Sequence, residues 1–221
     1  IREAFNMKST NIKKNISLLA ACIGIYERTN CDHPVTAIIP YSYALQCFPK
    51  LIQQLNCESN GKSIDIHGNP IQYHTAPIII GEPGTNAQHS FFQLCHQGTT
   101  IIPIEFIAIK NHTYNSKERS SAHQLLNNNV LSQIISLFEG ESHTNPNKIF
   151  PGKRPSTLIS LNSLTPESVG GLLAFYENKI MFQGFLLNIN SFDQEGVSLG
   201  KKITKKIQKN PSKYKKLQKT L

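Results

Sequence analysis

The strongest constraint on the fold is a strand-like segment, a glycine-rich loop, a helix and a second strand-like segment in direct succession. Residues 76–80 (APIII) have the composition of a buried strand, and residues 81–86 (GEPGTN) that of a tight loop. Residues 87–97 have helical character, with Gly98 placed as a C-terminal cap, and residues 101–109 (IIPIEFIAI) predict the next strand. This order is a βαβ unit, so the sequence predicts a parallel sheet and an α/β layer architecture.

Further elements are predicted on both sides of this unit. Apolar residues recur at helical spacing in residues 11–26, 43–57 and 122–138, and the apolar runs at 34–40 and 156–161 predict strands. The first helix is expected to be buried through a face formed by Ile16, Leu19, Ala20 and Ile23.

A strong helix start follows the last predicted strand. Thr165 is suited to the N-cap, Pro166 to the first helical position, and Glu167 to the positive end of the helix dipole. Because the following residues are mostly apolar, we expect much of this helix to be buried.

The charge of the chain is unevenly distributed. The formal net charge is +9, but nine lysines and no acidic residue lie in the last 21 residues, so residues 1–200 are balanced. A basic tail could bind nucleic acid. However, Tyr214 is the one aromatic residue among its lysines, so the tail lacks the aromatic side chains on which bases stack, and we do not expect a nucleic-acid partner. Apolar runs are only a few residues long, so neither a membrane span nor a secretory signal is expected.

The cysteine pattern indicates reduced thiols in a cytoplasmic protein. The chain has five cysteines, an odd number without the paired spacing of a zinc site, so neither a disulfide framework nor a bound metal is expected. They are Cys22, Cys31, Cys47, Cys57 and Cys95.

Glu82 is the first candidate for chemistry. Parallel α/β sheets bind ligands at the carboxyl ends of their strands, and Glu82 follows such a strand directly and precedes a helix. A carboxylate there suits a general base that moves a proton between adjacent carbons. The alternative is an acidic residue that only stabilises the positive end of the following helix, and the residues alone leave both interpretations open.

The residues around Glu82 also carry a family resemblance. GEPGTNAQHSFFQLCHQGT (81–99) and NINSFDQEGVSLGKK (188–202) resemble the two hallmark segments of the glucose-6-phosphate isomerase family. The segments ESNGK (58–62), FPGKRPS (150–156) and LAFYENKIMFQG (173–184) resemble the same family, in the same order.

The resemblance implies a fold and a domain division. The family has two sugar-isomerase-type α/β/α sandwiches and a C-terminal extension, and it works as a homodimer. Residues 1–162 resemble the carboxyl-terminal part of the second sandwich, an incomplete three-layer domain with a parallel sheet, and residues 163–221 a C-terminal helical extension with its lysine-rich tail. The family's phosphate-binding loop and catalytic arginine would lie upstream of Ile1, so we expect this chain alone to be inactive.

The implied activity is the interconversion of glucose 6-phosphate and fructose 6-phosphate, a step of glycolysis and gluconeogenesis, through a cis-enediolate without metal or organic cofactor. Glu82 matches the base that moves the proton between C2 and C1, and Lys201 matches the lysine that assists ring opening. Gln194 matches a glutamine that contacts the sugar phosphate substrate. The family's third catalytic group is a histidine contributed across the dimer interface; His112 is the candidate and His123 the runner-up.

Three positions depart from the family pattern. Ala87, Glu195 and Ser198 stand where the family has glycine, tryptophan and glutamate. Glu195 adds a negative charge beside Gln194, which should weaken the binding of an anionic substrate. These changes keep a second hypothesis open, in which the chain is a catalytically inactive fragment that serves as a binding or interaction module.

Overall fold

The computed structural model describes residues 9–112, 116–212 and 215. Its centre is one sheet of four parallel strands in the order β2-β1-β3-β4. The strands are β1 (Val35–Pro40), β2 (Ile78–Ile80), β3 (Ile104–Ile109) and β4 (Ser156–Leu161). The parallel α/β sheet predicted from the sequence is therefore confirmed.

Helices connect and cover the strands. They are α1 (Ile16–Thr29), α2 (Phe48–Asn60), α3 (Gly84–Gln88), α4 (Phe92–Gln97), α5 (Lys117–Glu139), α6 (Pro166–Leu186) and α7 (Ser198–Lys209). Three of these helices begin elsewhere than the sequence predicts: α1 at Ile16 and α2 at Phe48, each after a 3-10 turn, and α5 earlier, at Lys117.

The side chains of the sheet alternate between two apolar layers, as the two-residue period of a strand requires. One face packs against α3, α4 and α5 and the other against α2 and α6, so the fold is a three-layer sandwich. The first layer includes Ile39, Tyr41, Phe92, Phe106, Val130 and Leu137. The second includes Ile38, Ile52, Ile107, Tyr176 and Ile180.

The predicted start of α6 is confirmed in detail. The Thr165 hydroxyl accepts a hydrogen bond from the Ser168 backbone N–H at 3.2 Å, and the Ser168 hydroxyl accepts one from the Thr165 N–H at 2.9 Å. This reciprocal capping satisfies two backbone donors that have no partner within the helix. The helix then packs against both α1 and α2.

The buried face predicted for the first helix is wrong. Ile16, Leu19 and Ile23 are 50%, 40% and 43% exposed, whereas Ala21 is fully buried. The reason is that α1 contacts α6 through small residues, which let two helices approach closely. A Cβ added at Gly24 would lie only 2.6 Å from Gln183 Nε2 of α6.

The continuous helix predicted over residues 87–97 is also wrong. It is divided into α3 and α4. Gly98 does cap the end of α4, where its N–H donates to the Leu94 carbonyl oxygen at 2.8 Å, but its backbone is extended (φ −70°, ψ 161°) and not left-handed. Residues five apart on an unbroken helix point about 140° apart. The break lets both Ala87 and Phe92 enter the same apolar layer.

Some features can be stated only of the described residues. All five cysteines lie within them as free thiols. No group of three or more His, Cys, Asp or Glu side chains there is arranged to hold a metal ion. None of the helices in those residues is both long and apolar enough to cross a membrane. Lys213, Lys216 and Lys219 of the lysine-rich tail lie outside the described residues.

Candidate active site

Glu82 lies where the sequence predicts it, at the carboxyl edge of the parallel sheet. It follows β2 by two residues and precedes α3, and its side chain is partly buried. None of the ion pairs among the described residues involves Glu82. The interpretation of Glu82 as a helix-dipole partner loses support because α3 has only five residues, and so short a helix sums few peptide dipoles.

The loop that carries Glu82 is held against the sheet by two glycines. A Cβ at Gly81 would lie 2.2 Å from the Ile38 carbonyl oxygen, and a Cβ at Gly84 would lie 2.2 Å from Cε2 of Tyr41. The loop that carries Glu82 is rich in glycine, and these close contacts with β1 and Tyr41 explain why. Any other residue at either position would push the loop away from β1.

The ring of Tyr41 packs against this loop at Gly84. Its hydroxyl donates a hydrogen bond to Asn129 Oδ1 at 3.0 Å, and Gln88 Nε2 donates to the same oxygen at 2.6 Å. Burial raises the pKa of Tyr41 to about 12, so the phenol is neutral at physiological pH. Tyr41 therefore supports the loop by packing and hydrogen bonding and contributes no charge.

His112 and His123 lie together beyond the end of β3. Their ring centroids are 5.1 Å apart in an edge-to-face arrangement. The Nε2 atom of His123 is 3.3 Å from the Lys110 carbonyl oxygen and 3.2 Å from the Asn127 amide nitrogen. Both histidines line a polar cavity of about 390 Å³ that also includes Lys117. The backbone and a helix neighbour thus hold His123 in place.

The structure does not bring Glu82 and His112 into one cavity. Strand β1 lies between β2 and β3, so the two strands that these residues follow are about 10 Å apart. Glu82 is not among the residues that line the histidine cavity. Within one chain, therefore, the predicted base and the predicted histidine are at the same sheet edge but separate.

Gln194 and Lys201 lie in the segment that follows α6. Gln194 is exposed and lines a groove of about 600 Å³ formed by residues 57–68 and 190–197. Lys201 lies in the first turn of α7, is exposed, and lines neither of the two cavities. The structure thus brings Gln194 to a concave surface but does not join Lys201 to Glu82.

Two residues that shape these sites were not identified from the sequence. Tyr41 lies between two predicted elements and was given no role, and Lys62 was included only as the last residue of ESNGK in the family resemblance. Lys62 Nζ lies 2.8 Å from Asp193 Oδ1, although the two residues are 131 positions apart in the chain. No local pattern could reveal that pair; the only signal was that ESNGK and SFDQ both belonged to the resemblance.

Comparisons with known proteins show which family the chain belongs to. A sequence model of the family described as phosphoglucose isomerase matches residues 4–220. The chain belongs to the phosphoglucose isomerase family. Glucose-6-phosphate isomerase of Treponema denticola is 52% identical to it over 203 residues, which are 90% of this chain and 39% of the relative. The enzyme of the same name from Protochlamydia amoebophila is 48% identical over 201 residues, 90% of this chain and 37% of that relative.

The chain is also similar to solved structures in its fold. The crystal structure of a glucose-6-phosphate isomerase from Chlamydia trachomatis superposes with a TM-score of 0.84 at 44% identity, over 91% of this chain and 40% of that one. A hypothetical protein, TT0462 of Thermus thermophilus, superposes with a TM-score of 0.68 at 23% identity, over 88% of this chain and 45% of its own, and shows a shared fold alone. This member of the phosphoglucose isomerase family thus spans about 40% of the length of the relatives that it matches.

Proposed function

We propose that a polypeptide carrying these residues interconverts glucose 6-phosphate and fructose 6-phosphate. The observation that supports this most is the position of Glu82 at the carboxyl edge of a parallel sheet, on a loop that Gly81 and Gly84 keep against β1. The family match and the printed names of the relatives are consistent with this chemistry.

The proposed reaction needs one carboxylate at two adjacent carbons. In the open-chain aldose, the Glu82 carboxylate takes the proton from C2, and the electron pair of the C–H bond forms the C1–C2 double bond of a cis-enediolate. The protonated Glu82 then returns its proton to C1, while a proton passes from O2 to O1, and the ketose results. No group is oxidised or reduced from outside the substrate.

Two further roles belong to the proposal. Lys201 assists ring opening at the ring oxygen, where an ammonium stabilises developing negative charge. His112, supplied by a second copy of the chain, handles the proton at the same oxygen. The separation of Glu82 from His112 within one chain supports a site completed across a homodimer interface. A cytoplasmic location is a further part of the proposal, and so is a domain boundary near residue 162, across which α6 packs back onto the sheet.

A chimera tests this function. The amino-terminal part of the Treponema denticola relative, which this chain does not cover, is joined to the 221 residues, and a coupled assay measures the conversion of fructose 6-phosphate. We expect turnover by the chimera. A folded chimera without turnover, beside an active parent enzyme under the same conditions, would overturn the proposal.

A second candidate function is that of a binding module without activity. The exposed apolar residues of α1, together with Leu199 of α7 at 65% exposure, favour it, because such surfaces often lie at interfaces. The isolated 221 residues should show no turnover under either function, so the chimera distinguishes the two. A folded chimera that is equally inactive would favour the binding module.

A further inference from the structure

The segment that carries Gln194 is hydrogen-bonded to the connection between α2 and β2, which lies more than a hundred residues earlier in the chain. Three contacts join residues 187–191 to residues 60–73. They are Tyr73 OH to the Leu187 carbonyl oxygen at 2.6 Å, Ile66 N–H to the Asn188 carbonyl oxygen at 3.0 Å, and the Ser191 hydroxyl to Asn60 Oδ1 at 2.5 Å. These contacts fix the path of the chain as it leaves the end of α6.

Lys62 extends this set of contacts to the residue before Gln194. Its Nζ lies 2.8 Å from Asp193 Oδ1 and donates to the Asp193 carbonyl oxygen at 2.7 Å and to the Glu58 carbonyl oxygen at 3.0 Å. An ammonium has three N–H donors, so all three are used. The Lys62 side chain is only 15% exposed, against 47% for that of Asp193.

The contact with the Asp193 carbonyl oxygen bears directly on Gln194. That oxygen belongs to the peptide group that joins Asp193 to Gln194, so the lysine restrains the plane from which the glutamine backbone continues. The Asp193 side chain is also held on its other oxygen, Oδ2, which accepts a hydrogen bond from Asn190 Nδ2 at 2.9 Å. Gln194 thus follows a residue that is bound through both its side chain and its backbone.

Lys62 also offsets part of the negative charge of the groove. Among the described residues that line it, four are acidic and Lys62 is the one cation. The acidic residues are Glu58, Asp65, Asp193 and Glu195. A groove without Lys62 would present only negative charge around Gln194, which repels a phosphorylated sugar.

We propose that Lys62 is a positioning residue that holds the Asp193–Gln194 peptide so that Gln194 contacts the sugar phosphate. This inference rests on the proposed isomerase function. Lys62 acts through Gln194 and does not touch the substrate. Its loss weakens substrate binding and leaves the proton transfer at Glu82 in place, so the effect falls on KM and not on kcat.

The test uses the active chimera. Lys62→Met should raise KM for fructose 6-phosphate about tenfold and change kcat less than about twofold, because one charge-assisted interaction is lost. Lys62→Arg, which keeps the charge and several donors, should restore most of the affinity. Lys50→Met is the control: it removes an exposed lysine from α2, the helix that ends two residues before Lys62, and should leave KM unchanged.

A double variant separates positioning from a general structural role. Gln194→Ala should raise KM by itself. Adding Lys62→Met to it should raise KM little further, because both changes remove the same contact between Gln194 and the substrate. If Lys62→Met does not fold, Asp193→Ala takes its place and should raise KM severalfold, again without adding to Gln194→Ala. An unchanged KM, or effects that multiply in the double variant, would overturn the inference. An inactive parent chimera would instead count against the proposed function.

Discussion

The ring of Tyr41 lies against the backbone of Gly84 so closely that a Cβ at position 84 would be 2.2 Å from Tyr41 Cε2. Tyr41 follows β1, and its backbone N–H donates to the Ile107 carbonyl oxygen of β3 at 2.7 Å. Its hydroxyl reaches Asn129 of α5. The loop that carries Glu82 is therefore supported by a residue that is bonded both to the sheet and to a covering helix.

Gly84→Ala in the chimera should lower kcat/KM about 100-fold and the free energy of unfolding by about 1–3 kcal/mol. The added methyl group displaces the loop from Tyr41, and a displacement of about 1 Å at a catalytic group has an effect of that size. Steady-state kinetics and denaturant unfolding measure the two effects. Gly170→Ala on α6 is the control, because a Cβ there meets nothing within 4 Å. Equal behaviour of the two variants would contradict the role assigned to Tyr41.

Glu27 of α1 predicts a pH dependence of stability. Burial raises its pKa to about 7 from 4.5, and the nearby Glu105 carboxylate adds to the rise, while Lys179 opposes it. Lys179 pairs with Glu105, and the buried Tyr176 packs beside them. Because the folded chain holds the Glu27 proton more tightly than the unfolded chain, stability should fall as the pH rises from 4.5 to about 7, and this effect ends above that range.

Glu27→Gln removes this dependence. Relative to the parent, the melting temperature of the 221-residue variant should rise progressively between about pH 5 and about pH 8, since the amide never has to ionise. Thermal unfolding at several pH values measures the difference. Glu177→Gln, an exposed position on α6, should show no such trend. A constant difference between parent and Glu27→Gln across the range would contradict the prediction.

The two histidines beyond β3 are predicted to differ in importance. His112→Asn in the chimera should lower kcat about 100-fold or more, the usual effect of losing an acid–base group. His123→Asn should lower it less than about tenfold, because Nε2 of His123 already lies near the Lys110 carbonyl oxygen and the Asn127 amide. Measurement of kcat for both variants decides the matter. A larger loss for His123→Asn would assign the catalytic role to His123.

Much of the fold was predictable because its signals are local. The run Thr165–Pro166–Glu167 indicated the start of α6 correctly, since capping depends on residues three apart. Strand β4 agrees with its predicted bounds, and β1 differs by one residue. The position of Glu82 after β2 was also predictable, because strand, loop and helix follow one another directly in the chain.

The remaining features depend on contacts between distant residues. The apolar spacing of Ile16, Leu19 and Ile23 indicated a buried face, but the small residues of α1 decide which side meets α6. The contact of Lys62 with Asp193 spans 131 positions, so nothing near either residue indicates it. Local periodicity gives the elements, whereas the choice of packing face and the long-range ion pairs require the tertiary structure.

Replacement of Glu82 tests the central claim most directly. Glu82→Gln in the chimera keeps the size of the side chain and removes the carboxylate that moves the proton between C2 and C1. With fructose 6-phosphate in D₂O, NMR measures both the rate of isomerisation and the entry of deuterium at carbon. We predict that both rates fall about 1000-fold or more while the melting temperature is retained. A folded Glu82→Gln chimera that isomerises and exchanges at the parent rate would contradict the account.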